Sequence, residues 1–139
     1  MEAKEEAEFL IKTIKDYNVT LPVVIDYEYP MVNGKHTGRL FNAGLTVKER
    51  TEVINAFCDK VRSAGYTPGI YASSWIYNSR LDMKSIPDDV FIWVADYNES
   101  VTYGGYYDIW QYSETGSCDG VSSKNVDTNY FYIKNRVKE

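Results

Sequence analysis

Apolar and polar residues follow two spacings along this chain, one typical of helices and one typical of strands. Residues 2–17 and 46–64 carry apolar side chains three and four positions apart, which predicts two amphipathic helices. Five short apolar runs predict strands, at 22–28, 67–72, 90–95, 107–112 and 125–131. Helix and strand alternate at first and then give way to loops, so we expect an α/β fold with a mostly parallel sheet.

Local sequence signals mark where the second helix begins and ends. Thr46 and Glu49 have the spacing of a capping box, and Gly65 is a typical residue after a helix end. Residues 29–45 are rich in Gly and Asn, so we predict a loop there, with a turn at Asn33-Gly34. His36 lies in this loop, and we interpret it as a surface residue without a role.

The first predicted strand ends in two carboxylates. Asp26 and Glu28 are two residues apart, so on a strand they point to the same face, whereas Tyr27 points to the other. Ligands of parallel α/β sheets bind beyond the carboxyl ends of the strands. No helix begins at Glu28 for these acids to cap, and we therefore favour a functional role over a solvated strand end.

The later predicted strands also end in polar or aromatic residues. Several strand ends that meet at one face are typical of the active site of a (β/α)-barrel. We interpret Trp93 as a core residue and Asp119 as part of a turn with Gly120. Asp96 is expected either at the rim of the site or behind the residues that line it. The polar strand ends are Tyr71 and Ser73, Asp96 and Tyr97, Gln111 and Tyr112, and Asp127 and Asn129.

Composition narrows the class of protein. The 139 residues are enough for one domain, 1–139, and the net charge of −5 argues against a nucleic-acid partner. No apolar stretch is long enough to span a bilayer, and the charged start of the chain predicts no signal peptide. Aromatic residues make up 15%, with thirteen tyrosines, a composition found in proteins that bind sugars.

Cysteine and histidine usage predicts no metal and no cofactor. One histidine and no CxxC motif leave no zinc-type spacing. Cys58 is expected on the apolar side of a helix and Cys118 in a loop, so two free thiols are the first expectation. A disulfide stays open if the protein is exported.

Six motifs in this order resemble glycoside hydrolase family 25, the lysozymes (N-acetylmuramidases) of bacteria, phages and some fungi. The resemblance covers nearly the whole chain. The motifs are Val-Ile-Asp26-Tyr27-Glu28, Ala64-Gly65-Tyr66-Thr67-Pro68-Gly69-Ile70-Tyr71, Ile92-Trp93-Val94-Ala95-Asp96-Tyr97, Ile109-Trp110-Gln111-Tyr112-Ser113, Cys118-Asp119-Gly120-Val121 and Asn125-Val126-Asp127-Thr128-Asn129.

The resemblance implies a substrate and a set of site residues. It implies cleavage of the β-1,4 bond between N-acetylmuramic acid and N-acetylglucosamine, so glycan strands of peptidoglycan are the expected partner. Glu28 resembles the general acid, Asp26 its partner carboxylate and Asp127 an acidic residue of the last strand. Tyr71, Tyr97, Trp110 and Gln111 are the expected substrate-binding residues. The implied location is secreted or associated with a bacterial cell wall, in a bacterial or phage-derived protein.

The chain also departs from the family pattern. Members begin with a strand that carries an Asp-Val-Ser-like motif and two further strand–helix units, and a full barrel needs roughly 200–250 residues. We therefore expect a truncated, TIM-like (β/α)-barrel with about five mostly parallel strands, helices outside, and sheet edges through which copies could associate. Because the first-strand aspartate is absent, an inactive peptidoglycan-binding or assembly module is the main alternative. A carboxylate metal site on Asp26, Glu28 and Asp127 is a weaker one.

The sequence leaves the stereochemical route open. A 2-acetamido group of the substrate could act as the nucleophile, with Asp26 orienting it, or a protein carboxylate could attack directly, or the reaction could invert. Carboxylates about 5–5.5 Å apart would indicate retention with an enzymic nucleophile, and about 6.5–9.5 Å would indicate inversion.

Overall fold

The computed structural model describes residues 2–132 and shows a five-stranded sheet with helices packed against one face. A two-stranded hairpin lies apart from this sheet. The elements in chain order are α1 (Glu2–Ile14), β1 (Val23–Asp26), β2 (Met31–Val32), β3 (Lys35–His36), α2 (Arg39–Asn42), α3 (Val47–Ser63), β4 (Pro68–Ser73), α4 (Ser74–Ser79), a 3-10 turn (Met83–Ser85), β5 (Phe91–Ala95), β6 (Ile109–Gly116) and β7 (Val126–Phe131).

The second predicted helix, α3, has the ends that its sequence signals indicate. The Thr46 hydroxyl accepts a hydrogen bond from the Glu49 N–H, and the Glu49 carboxylate accepts one from the Thr46 N–H at 2.8 Å. Gly65 follows the helix with a φ of 87°, which glycine adopts without strain. The capping box and the stop are therefore confirmed. By contrast, α1 ends at Ile14, three residues before the predicted end at Tyr17, which is largely exposed.

The strand order β1-β4-β5-β6-β7 confirms a mostly parallel sheet. The first four strands are parallel, whereas β7 runs antiparallel to β6. The expectation that Asp127 lies at the carboxyl end of its strand is therefore wrong, because Asp127 is the second residue of β7. The connection 117–125 contains no helix that could carry the chain across the sheet, so the strand returns as a hairpin.

One face of the sheet packs against the helices and forms the core. Ile54, Phe57 and Val61 of α3 are buried with Ile70 of β4. Tyr27, which follows β1, is 1% exposed and faces this core, as its position between the two carboxylates predicts. Burial of Tyr27 on the helix side turns Asp26 and Glu28 toward the other face of the sheet.

The other face of the sheet is open and apolar near the start of the strands. It lines a cavity of about 240 Å³ between Val24, Phe91 and Phe131, among others. Gly69 belongs to this face, where a Cβ would come within 3.0 Å of Val24 Cγ2. Within residues 2–132, β1 and β7 each pair with one strand of the sheet, so the expected truncated barrel is an open sheet here. No helix in this range is long and apolar enough to cross a membrane.

Residues 29–45, predicted as a loop, contain the β2–β3 hairpin and the short helix α2. The predicted turn is present, with Asn33 and Gly34 at φ of 51° and 74°. The interpretation of His36 as a surface residue without a role is wrong. Its ring stacks on that of Trp75, with ring centroids 5.1 Å apart and an interplanar angle of 8°. The hairpin is thus packed against α4 through an aromatic contact that the sequence pattern does not reveal.

Candidate active site

Two carboxylates lie at the carboxyl end of β1, where Asp26 is the last residue of the strand and Glu28 follows two residues later. Asp26 pairs with Tyr71 of β4, and the Tyr27 N–H donates to the Tyr71 carbonyl at 2.8 Å. The chain thus stays extended past the end of β1, which keeps Glu28 on the same side as Asp26. Both carboxylates remain accessible to solvent.

A groove of about 360 Å³ brings most of the predicted site residues together. Asp127 reaches it from β7 because the start of that antiparallel strand lies beside the end of β6, where Val126 pairs with Gly116. The hairpin therefore delivers a third carboxylate to the edge at which the parallel strands end. The groove is lined by Val24, Asp26, Glu28, Tyr71, Trp93, Gln111 and Asp127.

The three carboxylates influence each other electrostatically. Partial burial raises the pKa of Glu28 above its usual 4.5, and the nearby charges of Asp26 and Asp127 raise it further. Burial also raises the pKa of Asp26 above 3.8. The negative charge of its two neighbours therefore favours the protonated form of Glu28, and a carboxyl group that retains its proton beside a second carboxylate suits acid catalysis on a glycoside.

Two tyrosines form one wall of the groove and share a partner. The Tyr71 and Tyr97 hydroxyls both donate to the Gln111 amide oxygen, at 2.8 and 2.7 Å. Burial raises the pKa of Tyr71, and Tyr97, Glu28 and Asp26 add to the effect. The phenol of Tyr71 is therefore neutral across the physiological range and close enough to the carboxylates to sense their charge.

The positions of two tryptophans are the reverse of those expected: Trp93 lines the groove and Trp110 does not. Trp93, interpreted as core, lines the groove, packs edge-on against Tyr71 with ring centroids 5.2 Å apart and donates to the Asn129 side chain at 2.8 Å. Trp110 alternates with Gln111 along β6 and so points to the opposite face, where it packs against Tyr130 at 5.7 Å. Trp110 is thus not brought into the groove.

Asp96 follows β5 directly and is buried next to the segment that carries Tyr97. It is 5% exposed, and its carboxylate accepts hydrogen bonds from Ser74 at 2.5 Å and from the Thr102 N–H at 2.7 Å. Its carbonyl accepts the Trp110 indole N–H at 2.7 Å. Burial alone would raise the pKa of Asp96, but these bonds and those from Asn98 lower it to about 2. Of the two positions expected for Asp96, at the rim or behind the residues that line the site, the structure shows the second, where the buried carboxylate holds the segment that carries Tyr97.

No group of three or more His, Cys, Asp and Glu side chains among residues 2–132 is arranged to hold a metal ion. Cys58 is buried and Cys118 exposed, and both are free thiols, as first expected.

The fold and the groove together define an α/β protein of the (β/α)-barrel type with carboxylates clustered at the carboxyl edge of its sheet. Residues 1–121 match the glycosyl hydrolases family 25, and the chain belongs to that family. Asp127 lies beyond the matched segment, so its place in the site rests on the geometry of β7.

Known proteins of this kind are similar over most of the chain. The lysozyme of Lactococcus phage mv1 is 25% identical over 122 residues, which cover 83% of this chain and 57% of that protein. A family 25 glycosyl hydrolase from Bacillus anthracis has a similar fold, with a TM-score of 0.70, 22% identity, and coverage of 94% of this chain and 58% of that one. The CTP1L endolysin has a TM-score of 0.66 and 24% identity, with coverage of 96% and 44%. The chain thus spans about half the length of these relatives.

Proposed function

We propose that this protein is a peptidoglycan hydrolase that cleaves the β-1,4 bond between N-acetylmuramic acid and N-acetylglucosamine. The observation that carries the proposal is the clustering of Glu28, Asp26 and Asp127 in one groove, with the pKa of Glu28 raised by burial and by the other two carboxylates. Family membership and the name of the phage relative, a lysozyme, support the same substrate class. The proposed place of action is the bacterial cell wall.

Glu28 is the proposed general acid. Cleavage of a glycosidic bond requires a proton on the leaving oxygen, and a carboxyl group with a raised pKa retains that proton to a higher pH than an ordinary glutamate does. Glu28 has the longer side chain of the pair and lies two residues beyond Asp26, the last residue of β1. It is therefore better placed to reach an oxygen between two sugar rings that lie across the groove.

Asp26 is the proposed stabilising carboxylate. In its ionised form it would offset positive charge that develops on the sugar, or orient a 2-acetamido group that attacks from within the substrate. Asp127 lines the same groove from β7, at the opposite end of the strand order, and supplies a second negative charge. This third carboxylate favours proton retention on Glu28, since like charges in one groove resist simultaneous ionisation.

Aromatic side chains are the proposed contacts for the sugar rings. Tyr71 and Trp93 line the groove beside the carboxylates, and Tyr97 borders it through Gln111. Aromatic rings pack on the apolar faces of pyranoses while their polar atoms bond to hydroxyl groups. Trp110 is proposed to make no contact with the sugar and to act through the hydrogen bond that its indole N–H donates to the Asp96 carbonyl.

One observation favours a second candidate, a peptidoglycan-binding module without catalysis. Within residues 2–132 the sheet is open at β1 and β7, so no strand beyond these two closes the groove. A binding module would retain wall affinity without producing new reducing ends.

Pairing of two copies of the chain through the open edges of the sheet also stays a prediction, and sedimentation velocity would detect the resulting dimer.

Clearing of a suspension of purified cell walls tests the proposal. The wild-type protein should lower the turbidity, and Glu28→Gln should reduce the rate about 100-fold or more, because the variant lacks the proton donor. Glu5→Gln makes the same chemical change at an exposed position of α1 and should clear walls like the wild type. Equal rates for wild type and Glu28→Gln would overturn the assignment, and wall binding without clearing would favour the second candidate.

A further inference from the structure

Gln111 is the most deeply buried polar side chain of the groove. It is 4% exposed, whereas the carboxylates around it are open to solvent. Its amide oxygen accepts two hydrogen bonds, from the Tyr71 hydroxyl at 2.8 Å and from the Tyr97 hydroxyl at 2.7 Å. An amide oxygen that already accepts from two protein groups is poorly placed to accept from a ligand as well.

These two bonds determine what the tyrosines can offer. An amide oxygen has two lone pairs, so two hydroxyl donors saturate it. Each phenol hydroxyl carries one proton, and both protons are committed to Gln111. What remains on each tyrosine oxygen is acceptor capacity, directed away from Gln111. A tyrosine hydroxyl without such a partner would rotate and could act as donor or acceptor.

The electrostatic surroundings place one of these acceptors close to the reacting carboxylates. Glu28 and Asp26 both raise the pKa of Tyr71, so their charges lie near its hydroxyl. A ligand group that meets Tyr71 there must supply a hydrogen. Sugars that carry hydroxyl and 2-acetamido N–H groups provide such donors.

We propose that Gln111 is a positioning residue that fixes the Tyr71 and Tyr97 hydroxyls as hydrogen-bond acceptors for donor groups of a 2-acetamido sugar. This role rests on the proposed function for its ligand class. It differs from the direct contact between Gln111 and substrate that the sequence predicts. It also explains why a neutral amide, which keeps two donors in place without adding charge beside Glu28, occupies this point of the groove.

Calorimetry with tetra-N-acetylchitotetraose tests the binding side of the proposal. Gln111→Met keeps the approximate shape but lacks the acceptor, and should weaken binding by about tenfold, the effect of losing one or two hydrogen bonds of usual strength. In a Tyr71→Phe/Tyr97→Phe background the same change should have no further effect, because Gln111 acts through the hydroxyls.

Wild-type affinity in Gln111→Met would overturn the proposal. An equal loss of affinity in the Tyr71→Phe/Tyr97→Phe background would also overturn it, because Gln111 would then act independently of the tyrosines. Tyr112→Phe removes a hydroxyl from the opposite face of β6 and is the matched control, with unchanged affinity expected.

A spectroscopic readout separates this proposal from the proposed function. The ¹³Cζ resonances of Tyr71 and Tyr97, assigned from the Phe variants, should both move in Gln111→Met, while that of Tyr112 stays in place. If the wild type neither binds the oligosaccharide nor clears walls, the proposed function fails, and the resonances still report whether Gln111 holds the tyrosines. Unmoved resonances of Tyr71 and Tyr97 would refute the positioning role.

Discussion

Asp96→Asn should destabilise the protein by about 2 to 4 kcal/mol at pH 7. In the wild type one carboxylate oxygen accepts from the Ser74 hydroxyl and from the N–H and hydroxyl of Thr102, and the other accepts from the backbone and side-chain amides of Asn98. Asparagine keeps the shape but replaces one acceptor with an amino group. If it replaces the oxygen that faces Asn98, the Asn98 backbone N–H then faces another donor; if it replaces the other oxygen, the Thr102 backbone N–H does. The hydroxyls and the side-chain amide around it must turn to accept.

The magnitude follows from the proton affinity of the carboxylate. Burial would raise the pKa of Asp96, but the hydrogen bonds outweigh burial and lower it from 3.8 to about 2. A tenfold change in proton affinity corresponds to about 1.4 kcal/mol, so the ionised carboxylate contributes on the order of 2 kcal/mol to the folded state. Unfavourable contacts of the new amino group account for the upper part of the range.

Urea unfolding at several pH values measures this contribution. A lowered pKa stabilises the folded state fully above the ordinary value of 3.8, and that stability is lost as the pH falls through about 2. The difference between wild type and Asp96→Asn should therefore be full at pH 7 and shrink toward about pH 2.5. Asp119→Asn makes the same substitution in an exposed turn and should change stability little.

Two results would refute the reasoning about Asp96. A loss below about 0.5 kcal/mol at pH 7 would mean that the hydrogen bonds do not offset the burial of the charge. A loss that is the same at low and neutral pH would mean that the ionised form is not what stabilises the fold.

Three further predictions follow from single residues. Glu28→Gln should raise the free energy of unfolding at pH 7, because the raised pKa shows that the charge is disfavoured in the folded state. Urea titration should show no gain in stability well below pH 4.5, where the glutamate is protonated in both states. A loss of stability at pH 7 would contradict this prediction. Ellman's reagent should modify exposed Cys118 at once but Cys58, buried and with its pKa raised to about 12 by burial, only after unfolding; two fast thiols would be inconsistent with the structure. Thr46→Ala breaks the capping box with Glu49 and should cost about 1 kcal/mol in urea unfolding, so unchanged stability would argue against the cap.

Features that depend on a few neighbouring residues are the ones that the sequence predicts well. The start of α3 at Thr46, its end before Gly65 and the turn at Asn33 all follow from backbone preferences of single residues. The shared face of Asp26 and Glu28 follows from the two-residue period of an extended chain.

Features that depend on which strands are neighbours are predicted poorly. Trp93 and Trp110 are both tryptophans on apolar strands, and periodicity alone does not tell which face of the sheet is the groove. The register that sets Trp93 beside Tyr71 is fixed by packing of β4 against β5. The burial of Gln111 likewise requires Tyr71 and Tyr97 to converge from two other segments.

The direction of β7 was open to a better prediction from the sequence. A parallel strand needs a crossover connection of a dozen or more residues, usually with a helix, and the polar segment 117–125 between the last two strands is too short for one. A hairpin from β6 is the simpler expectation. It places Asp127 at the beginning of its strand and still brings the carboxylate to the same edge as Glu28.

Identification of the new reducing ends after digestion of peptidoglycan tests the central claim most directly. Purified walls are incubated with the wild-type protein, reduced with borohydride and hydrolysed to monosaccharides. We expect muramitol to accumulate with time, Glu5→Gln to produce it at the same rate, and Glu28→Gln to produce none above background. Accumulation of glucosaminitol instead, or muramitol formation that survives in Glu28→Gln, would contradict the proposed bond or the proposed acid.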